Sequence, residues 1–340
     1  MNSFCPNCGI TMDFHDAGNL YLYNQHSDRL PFEGFTPFGT HSFVMPYDNL
    51  EKLSRELQPY SEKLNDEGWT CSISPSERPG DYYSVKEFIN RVKHRDMIGI
   101  IQKGEFVSYL QPIISLQDDR LYGYESLLRS ADSSVSFHPG ELFHAASVTG
   151  FQSMLDQRAR KAAIESRIGN IEPGVKSFIN FLPSTIYNPE FCLKHTFQIV
   201  DKYDVNPEDL VFEVVETEKI DDINHLKGVL DVYKREGMKV ALDDVGAGFA
   251  TIEMLSLLQP DYVKIDRSYI SGCDGDVEKQ SFLKQVCATA QDLGIAVLAE
   301  GVERKEELSL CKEIGVKFAQ GYLIGKPDIR AKSPLKQLFV

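Results

Sequence analysis

From near Ser108 onward, short apolar runs alternate with longer amphipathic stretches, and this alternation limits the folds that are open to the chain. The short runs are rich in β-branched and aromatic residues, and the longer ones have helical spacing, so the pattern predicts parallel strands joined by helical crossovers. The strand candidates, in chain order, are Val107–Ser115, Leu121–Leu128, Ser177–Phe181, Leu210–Val215, Lys239–Asp243, Tyr262–Asp266, Ile295–Glu300 and Lys317–Gln320.

Only residues 116–120 separate the first two candidates, too few for a crossover helix, so these strands should form a hairpin and one should run antiparallel to the rest. We therefore expect an α/β fold, a (β/α)8 TIM-like barrel with one antiparallel strand, preceded by a small α+β domain. A chain of 340 residues has room for both. The predicted boundaries are 1–95 for an accessory or regulatory domain and 96–335 for the barrel. Helices are predicted at Pro139–Val148, Phe151–Ile168, Asp222–Glu236, Val277–Leu293 and Arg304–Ile314.

Polar residues stand at the carboxyl ends of the predicted strands. Residues two apart in a strand share a face, and pairs such as Val211 with Glu213 and Leu298 with Glu300 place an apolar residue before a polar one. A buried Glu or Lys is rarely found unpaired, and in barrel enzymes this rim carries the active site. The candidate rim residues are Glu125, Asn180, Glu213, Asp243, Lys264, Glu300 and Gln320.

These side chains suit a hard metal ion. Carboxylate and amide oxygens favour Mg²⁺ or Mn²⁺, and no His or Cys stands at these strand ends to favour zinc. Asp243 and Asp244 cannot share a face in a regular strand, but both could reach metal where the strand curls into the loop at 245–248. Two metal ions would then suit in-line hydrolysis of a phosphodiester. Lys264 could hold the attacking water, and Arg129 could bind a phosphate oxygen.

The net charge and the hydropathy of the chain limit the kinds of ligand and cellular location that we expect for it. The formal charge of -14 disfavours duplex nucleic acid, whose binding depends on clustered cations, but it allows a small anion that metal ions help to bind. No run of 18 apolar residues is present, and no basic segment followed by an apolar run opens the chain. We expect a cytoplasmic protein without a membrane span.

At these residues the chain resembles the EAL-domain family of cyclic di-GMP phosphodiesterases, over about 98–328. The Glu-Ala-Leu tripeptide that names the family reads Glu125-Ser126-Leu127 here. Each motif alone is weak, but their order and spacing together are specific. The matching segments are 109–113, 123–129, 179–183, 212–218, 242–248, 261–266, 299–303 and 320–327.

The resemblance implies hydrolysis of cyclic di-GMP to linear pGpG with two Mg²⁺ or Mn²⁺ ions. Lys264 would assist the attacking water together with the catalytic carboxylates Glu125 and Glu300, and Glu216 would steady the loop after Asp244, which takes part in dimer contact. The implied metal ligands are Glu125, Asn180, Glu213, Asp243, Asp244 and Glu300. The implied substrate groove comprises Gln111, Leu128, Arg129, Asn180, Asp243, Lys264 and Gln320.

Two departures from the family pattern stand out. Ser126 replaces the usual Ala, a mild change because its side chain alternates away from Glu125. The loop at 244–250 reads Asp-Val-Gly-Ala-Gly-Phe-Ala where Asp-Phe-Gly-Thr-Gly-Tyr-Ser is common, which bears on rate and regulation rather than on metal ligation. Three functions stay open: an active phosphodiesterase, a catalytically silent receptor that binds the same nucleotide, and a barrel hydrolase of another phosphoester.

The N-terminal region offers one motif. Cys5 and Cys8 have the spacing of a zinc knuckle. Without a second pair, three alternatives remain open: an intrachain zinc site, an intersubunit site and an unmetallated turn. Helices are predicted at Leu50–Leu64 and Ser84–Lys103, and Thr70–Pro79 is predicted to form a strand and loop. The intrachain site would need ligands from His15, His26, His41 or Cys71.

Overall fold

A computed structural model describes residues 11–27, 33–215, 222–246 and 252–334. Cys5, Cys8, Glu216 and the loop residues 247–250 lie outside the described residues. The contacts divide the chain into two compact units, Met1–Gly104 with Ser136–Leu155, and Glu105–Val135 with Asp156–Val340. The accessory domain at 1–95 and the barrel domain at 96–335 stay a prediction.

The first unit contains a sheet of five strands in the order β2-β3-β1-β4-β5. Leu20 and Leu22 alternate with Tyr21 along β1, and all three are buried. The strands are β1 Gly18–Tyr23, β2 Thr36–Gly39, β3 Ser42–Tyr47, β4 Thr70–Ser74 and β5 Tyr83–Ser84, and the helices are α1 Leu50–Leu57, α2 Ser61–Asp66, α3 Val85–Lys93, α4 Arg95–Lys103 and α5 Pro139–Thr149.

Two predicted helices of this unit are each divided in two. The helix predicted at Leu50–Leu64 is interrupted by a 3₁₀ turn at Gln58–Tyr60, because Pro59 has no N–H to donate. The helix predicted at Ser84–Lys103 is divided at His94, which has φ −106° and ψ 20°. Ser84 begins α3 as an N-cap and accepts a hydrogen bond from the Glu87 N–H.

The second unit is a closed barrel in which β6 is antiparallel to both of its neighbours, β7 and β13. The predicted eight strands and the antiparallel hairpin are therefore confirmed. The strands are β6 Phe106–Ser115, β7 Leu121–Ser130, β8 Lys176–Phe181, β9 Leu210–Val214, β10 Lys239–Val245, β11 Tyr262–Ile265, β12 Ala296–Ala299 and β13 Phe318–Gln320. The remaining helices are α6 Gln152–Arg167, α7 Pro189–Cys192, α8 Lys194–Lys202, α9 Ile223–Arg235, α10 Ile252–Leu258, α11 Arg267–Ile270, α12 Val277–Leu293 and α13 Lys305–Glu313.

Apolar side chains form a separate packed cluster along the strands of the barrel. The ring of Tyr122 stacks on that of Phe318 with centroids 3.9 Å apart. The cluster includes the apolar members of the predicted pairs, so the alternation along the strands is confirmed. Its buried members are Ile113, Phe178, Val211, Ala241, Tyr262 and Leu298.

The β6–β7 hairpin has no crossover helix, and the segment after β13 packs against it. The Leu110 N–H donates to the Asp328 carbonyl at 2.7 Å, and the Asp328 N–H donates back at 3.2 Å. The Tyr124 hydroxyl donates to the Lys332 carbonyl at 3.1 Å. Among the described residues, no helix combines the length and apolar character needed to cross a membrane.

Candidate active site

The carboxyl ends of the barrel strands bring the predicted polar residues together. Glu300 directly follows β12, and the others belong to the strands themselves. The residues and their strands are Glu125 on β7, Asn180 on β8, Glu213 on β9, Asp243 and Asp244 on β10, Lys264 on β11 and Gln320 on β13.

Lys264 lies among four carboxylates and is 1 % exposed. Its Nζ is 2.6 Å from Glu300 Oε1 and 3.1 Å from Asp243 Oδ1. It is also 3.1 Å from Glu213 Oε1 and 3.5 Å from Glu125 Oε1. One ammonium cannot neutralise four carboxylates, so the cluster is short of positive charge when all of them are ionised.

Glu125 is oriented by amide side chains. Asn180 Nδ2 donates to Glu125 Oε1 at 3.2 Å, and Gln320 Nε2 donates to Oε2 at 2.6 Å. Gln320 also donates to Gln111 Oε1 at 3.1 Å, and Gln111 in turn donates to the Gly325 carbonyl at 3.2 Å. Two residues predicted for the substrate groove, Gln111 and Gln320, therefore also contribute to this network.

A bulge allows adjacent aspartates to face one site. The pairing of β10 with β11 shifts register between Leu242 and Val245. Asp244 within the bulge has φ 53°, a left-handed conformation that Asp tolerates better than most residues. Ligand oxygens of Asp243, Asp244 and Glu300 lie within 4.8 Å of one another. The sequence predicted a curl into the following loop, whereas the distortion occurs within the strand.

Burial and mutual repulsion shape the electrostatics of the cluster. Burial raises the pKa of Glu213 and of Glu300 well above the usual range, the neighbouring carboxylates add to the effect, and Lys264 opposes it. Burial also raises the pKa of Asp243, against the charge of Lys264. Burial disfavours the charged form of Lys264, but the four carboxylates outweigh it and raise its pKa well above normal. For Glu125, burial is outweighed by Lys264 and by the amide hydrogen bonds, which together lower its pKa.

The donor set fits hard divalent cations. Three carboxylates already converge, and the buried Glu213 Oε1, although close to Lys264, has no hydrogen bond. Asn180 uses its Nδ2 on Glu125, which leaves its carbonyl oxygen as an available ligand. Oxygen donors of this kind suit Mg²⁺ or Mn²⁺, and divalent cations would supply the charge that the cluster lacks.

Two predicted groove residues have no described contact with this cluster. Leu128 is buried near the end of β7, and the Arg129 guanidinium donates through Nη1 to the Leu128 carbonyl at 2.7 Å. The Arg129 Cζ also lies 5.6 Å from the centroid of the Tyr109 ring. Sequence reasoning did not single out Tyr109. Tyr109 lies diagonally across the hairpin from Arg129, a position that is set by the register of β6 against β7 and not by a local sequence pattern.

Single cysteines scattered through patterned segments, without a dense cysteine framework, are predicted from the sequence to be small buried thiols. Cys192, Cys273, Cys287 and Cys311 are free and buried, which confirms this prediction. Cys71 is also buried, and burial raises the pKa of its thiol far above normal. Because zinc binds the thiolate, this position is a poor zinc ligand. With Cys5 and Cys8 outside the described residues, the zinc site stays a prediction.

The fold and the rim define a class of protein: a closed α/β barrel with an acidic site at the carboxyl ends of its strands. The sequence model of the EAL-domain family matches residues 92–327 of this chain. The chain therefore belongs to the EAL-domain family.

Related proteins agree with this assignment. The chain is 32% identical over 234 residues to an Escherichia coli K12 protein named "Probable cyclic di-GMP phosphodiesterase PdeG", and the match covers 67% of this chain and 45% of that protein. It thus spans less than half the length of that relative. A standalone EAL protein from Vibrio cholerae, solved with cyclic di-GMP bound, has a TM-score of 0.63 at 31% identity, covering 69% of this chain and 98% of that one.

Another solved structure matches more of the chain. BlrP1 of Klebsiella pneumoniae, solved as a calcium and cyclic di-GMP complex, covers 92% of this chain and 96% of its own, with a TM-score of 0.59. At 22% identity this likeness shows the fold alone.

Proposed function

We propose that this protein hydrolyses cyclic di-GMP to linear pGpG and so controls the level of this second messenger. The observation that carries the proposal is the buried cluster of carboxylates around Lys264 at the carboxyl rim of an EAL-family barrel. The related Vibrio cholerae EAL protein has been solved with cyclic di-GMP bound. We also propose that the protein acts in the cytoplasm.

Two Mg²⁺ or Mn²⁺ ions would be held by Glu125, Asn180, Glu213, Asp243, Asp244 and Glu300. When bound, such ions activate a water molecule and stabilise negative charge on the phosphate. The chain's own contribution is orientation: the amides of Asn180 and Gln320 hold Glu125, and the bulge brings Asp244 beside Asp243.

Lys264 is proposed to orient the attacking water. Its Nζ bears three protons, its high pKa keeps it charged, and it is fixed by contacts with carboxylates from three other strands and with Glu300. A fixed ammonium can donate a hydrogen bond to the water and later to a phosphate oxygen on which negative charge develops, without reorganising. The same position places it among groups that would bind metal, so charge balance is the competing role.

Gln111, Leu128, Arg129 and Gln320 are proposed to bind the substrate. Arg129 belongs to the same strand as Glu125 and offers a guanidinium, the group best suited to a phosphate fork. Glu216 is proposed to steady the loop after Asp244, and a homodimer through the barrel is proposed with it. Light scattering of the purified protein tests the dimer.

The proposed activity is tested by incubating the full chain with cyclic di-GMP and Mn²⁺ and separating the products by chromatography. We expect pGpG, and we expect EDTA to stop its formation. Glu125→Ala and Asp243→Ala should abolish turnover while the circular dichroism spectrum stays that of the parent. If the protein binds cyclic di-GMP but forms no product at high protein concentration, it is a silent receptor and not an enzyme. If the protein hydrolyses another phosphodiester but not cyclic di-GMP, the proposed substrate is wrong.

A further inference from the structure

We propose that Asp156 and Arg160, two buried residues of α6, position Asn180 for metal binding by fixing the backbone that follows β8. This inference rests on the proposed function, because it takes Asn180 to be a metal ligand. Neither residue belongs to the acidic rim, and neither would touch metal or substrate, so both would be positioning residues.

The Asp156 carboxylate accepts hydrogen bonds from the segment just beyond β8. Its Oδ1 accepts from the Leu182 N–H at 2.9 Å, and its Oδ2 accepts from the Thr185 hydroxyl at 2.8 Å. The Arg160 guanidinium lies 3.2 Å from Oδ2, and both charged side chains are at most 4 % exposed. A buried ion pair is costly unless its atoms are hydrogen-bonded, and the carboxylate of this pair is hydrogen-bonded to one short segment, through the Leu182 N–H and the Thr185 hydroxyl.

Arg160 extends the network to a second helix. Its Nη1 lies 3.4 Å from the hydroxyl of Tyr233 on α9, and Tyr233 is fully buried. The ring of Tyr233 stacks on Phe212 of β9, with centroids 4.1 Å apart. The anchor of the β8 segment is therefore tied to the neighbouring strand, which also carries Glu213.

The link to Asn180 is short. Leu182 is two residues after Asn180, so the Asp156 hydrogen bond fixes the chain immediately beyond the amide. Asn180 Nδ2 is held by Glu125, which leaves Oδ1 to bind a cation. Metal ligands must be held to within about 0.5 Å of the productive geometry, and partners behind the ligands supply that restraint. A loosened end of β8 would displace Oδ1 without removing any ligand.

The chain contains a matched control at the other end of the same strand. Asp209 is 2 % exposed and pairs with Arg167 at 2.8 Å. It accepts a hydrogen bond from the Gly174 N–H at 2.8 Å, in the segment before β8. Asp209 thus resembles Asp156 in burial, charge and bonding, but it anchors the end of β8 remote from the rim.

The test compares Asp156→Asn, Thr185→Val and Asp209→Asn in the full chain. Titration calorimetry with Mn²⁺ alone gives the affinity of each metal-free protein, and thermal unfolding gives its Tm. We expect Asp156→Asn to weaken Mn²⁺ binding about 10-fold, and Thr185→Val to weaken it less. Asp209→Asn should lower Tm while its Mn²⁺ affinity stays that of the parent.

Two results would overturn the inference. One is a lower Tm for Asp156→Asn and Thr185→Val with unchanged Mn²⁺ affinity, and the other is an equal loss of affinity in Asp209→Asn. If Asp156→Asn does not fold, Thr185→Val decides the question, because it keeps the ion pair and removes one hydroxyl. A parent protein that binds no Mn²⁺ would instead overturn the metal site of the proposed function.

Discussion

At the scale of single residues, the decisive fact is the imbalance of charge around Lys264. Four carboxylates approach one ammonium, and the Lys264 and Glu213 side chains are fully buried. Buried charges of this kind destabilise a fold unless they are compensated. A site that keeps them is therefore better explained by ligand binding than by folding.

Lys264→Met should lower kcat by roughly 10²–10⁴, the range expected when a group that positions or transfers protons is removed. If Lys264 acts mainly in the transition state, the dissociation constant for cyclic di-GMP in Ca²⁺ should change little. The control is Lys239→Met on β10, where the lysine pairs with Asp261 at 3.1 Å away from the rim. Its kcat should equal that of the parent. A kcat within about threefold of the parent for Lys264→Met would restrict Lys264 to charge balance.

Ser126→Ala should raise the free energy of unfolding by about 1 kcal/mol and leave kcat unchanged. The Ser126 hydroxyl is buried without a hydrogen bond, and an unsatisfied buried hydroxyl costs free energy. Ser177→Ala is the matched control. The Ser177 hydroxyl accepts a hydrogen bond from Arg167 Nη1 at 2.8 Å, so its removal should lower the free energy of unfolding. Urea unfolding of both variants measures the difference. A loss of stability in Ser126→Ala would show that this hydroxyl has a partner.

At the scale of elements, the β6–β7 hairpin and the β10 bulge have the largest consequences for the site. The hairpin lacks a crossover helix, and the segment around Asp328 and Lys332 packs on it instead. The bulge turns Asp244 towards Asp243 and Glu300. Each is a local irregularity in an otherwise regular barrel.

Deletion of the chain from Asp328 onward should destabilise the barrel by several kcal/mol. It removes both hydrogen bonds of Leu110 to this segment and exposes Leu110 and Tyr124, which are otherwise buried. Full burial of one such apolar side chain contributes about 1.5–3 kcal/mol. Tyr124→Phe, which removes only the hydrogen bond to Lys332, should cost about 1 kcal/mol. Equal unfolding midpoints in urea for the deletion and the parent would contradict this role.

At the scale of the whole molecule, the compact units do not follow the order of the chain. Residues 136–155 belong to the unit that contains the N-terminal sheet. Asn90 and Arg91 of α3 donate to the carbonyls of Val148 and Thr149 at 3.3 and 3.0 Å. Side chains of α3 therefore supply hydrogen-bond donors to the last carbonyls of α5.

A fragment containing residues 96–340 should be less stable than the full chain. It retains α5 but removes α3, and with it the partners of Val148 and Thr149. Buried side chains such as Leu142 and Phe151 would gain exposure, which favours aggregation. Light scattering and thermal unfolding of the fragment and the full chain measure this. A fragment that stays monodisperse with an unchanged Tm would show that α5 needs no support from α3.

Mn²⁺ should raise the Tm of the full chain, and EDTA should reverse the change. A ligand that binds only the native state raises the free energy of unfolding by about 2.7 kcal/mol when its free concentration is 100 times the dissociation constant. The gain in Tm should shrink as the pH is lowered. The pKa values of Glu213 and Glu300 are raised, so these carboxyls become protonated at a higher pH than ordinary ones, and a protonated carboxyl binds metal poorly. Differential scanning fluorimetry across pH measures both effects. A Tm that Mn²⁺ leaves unchanged at pH 8 would argue against metal binding in the native state.

Local patterns along the chain were enough to predict the barrel and the members of its acidic rim. Strand periodicity is local, and residues two apart share a face, so Glu213 and Glu300 could be placed at the rim from their neighbours. No local pattern encodes the bulge at Asp244, the aromatic ring beside Arg129 or the hydrogen bonds of Asp156 to the segment after Asn180. Each depends on contacts between elements distant in sequence or on a register set by neighbouring strands. Patterns along one strand or helix cannot specify such partners, because pairing and packing between elements fix them.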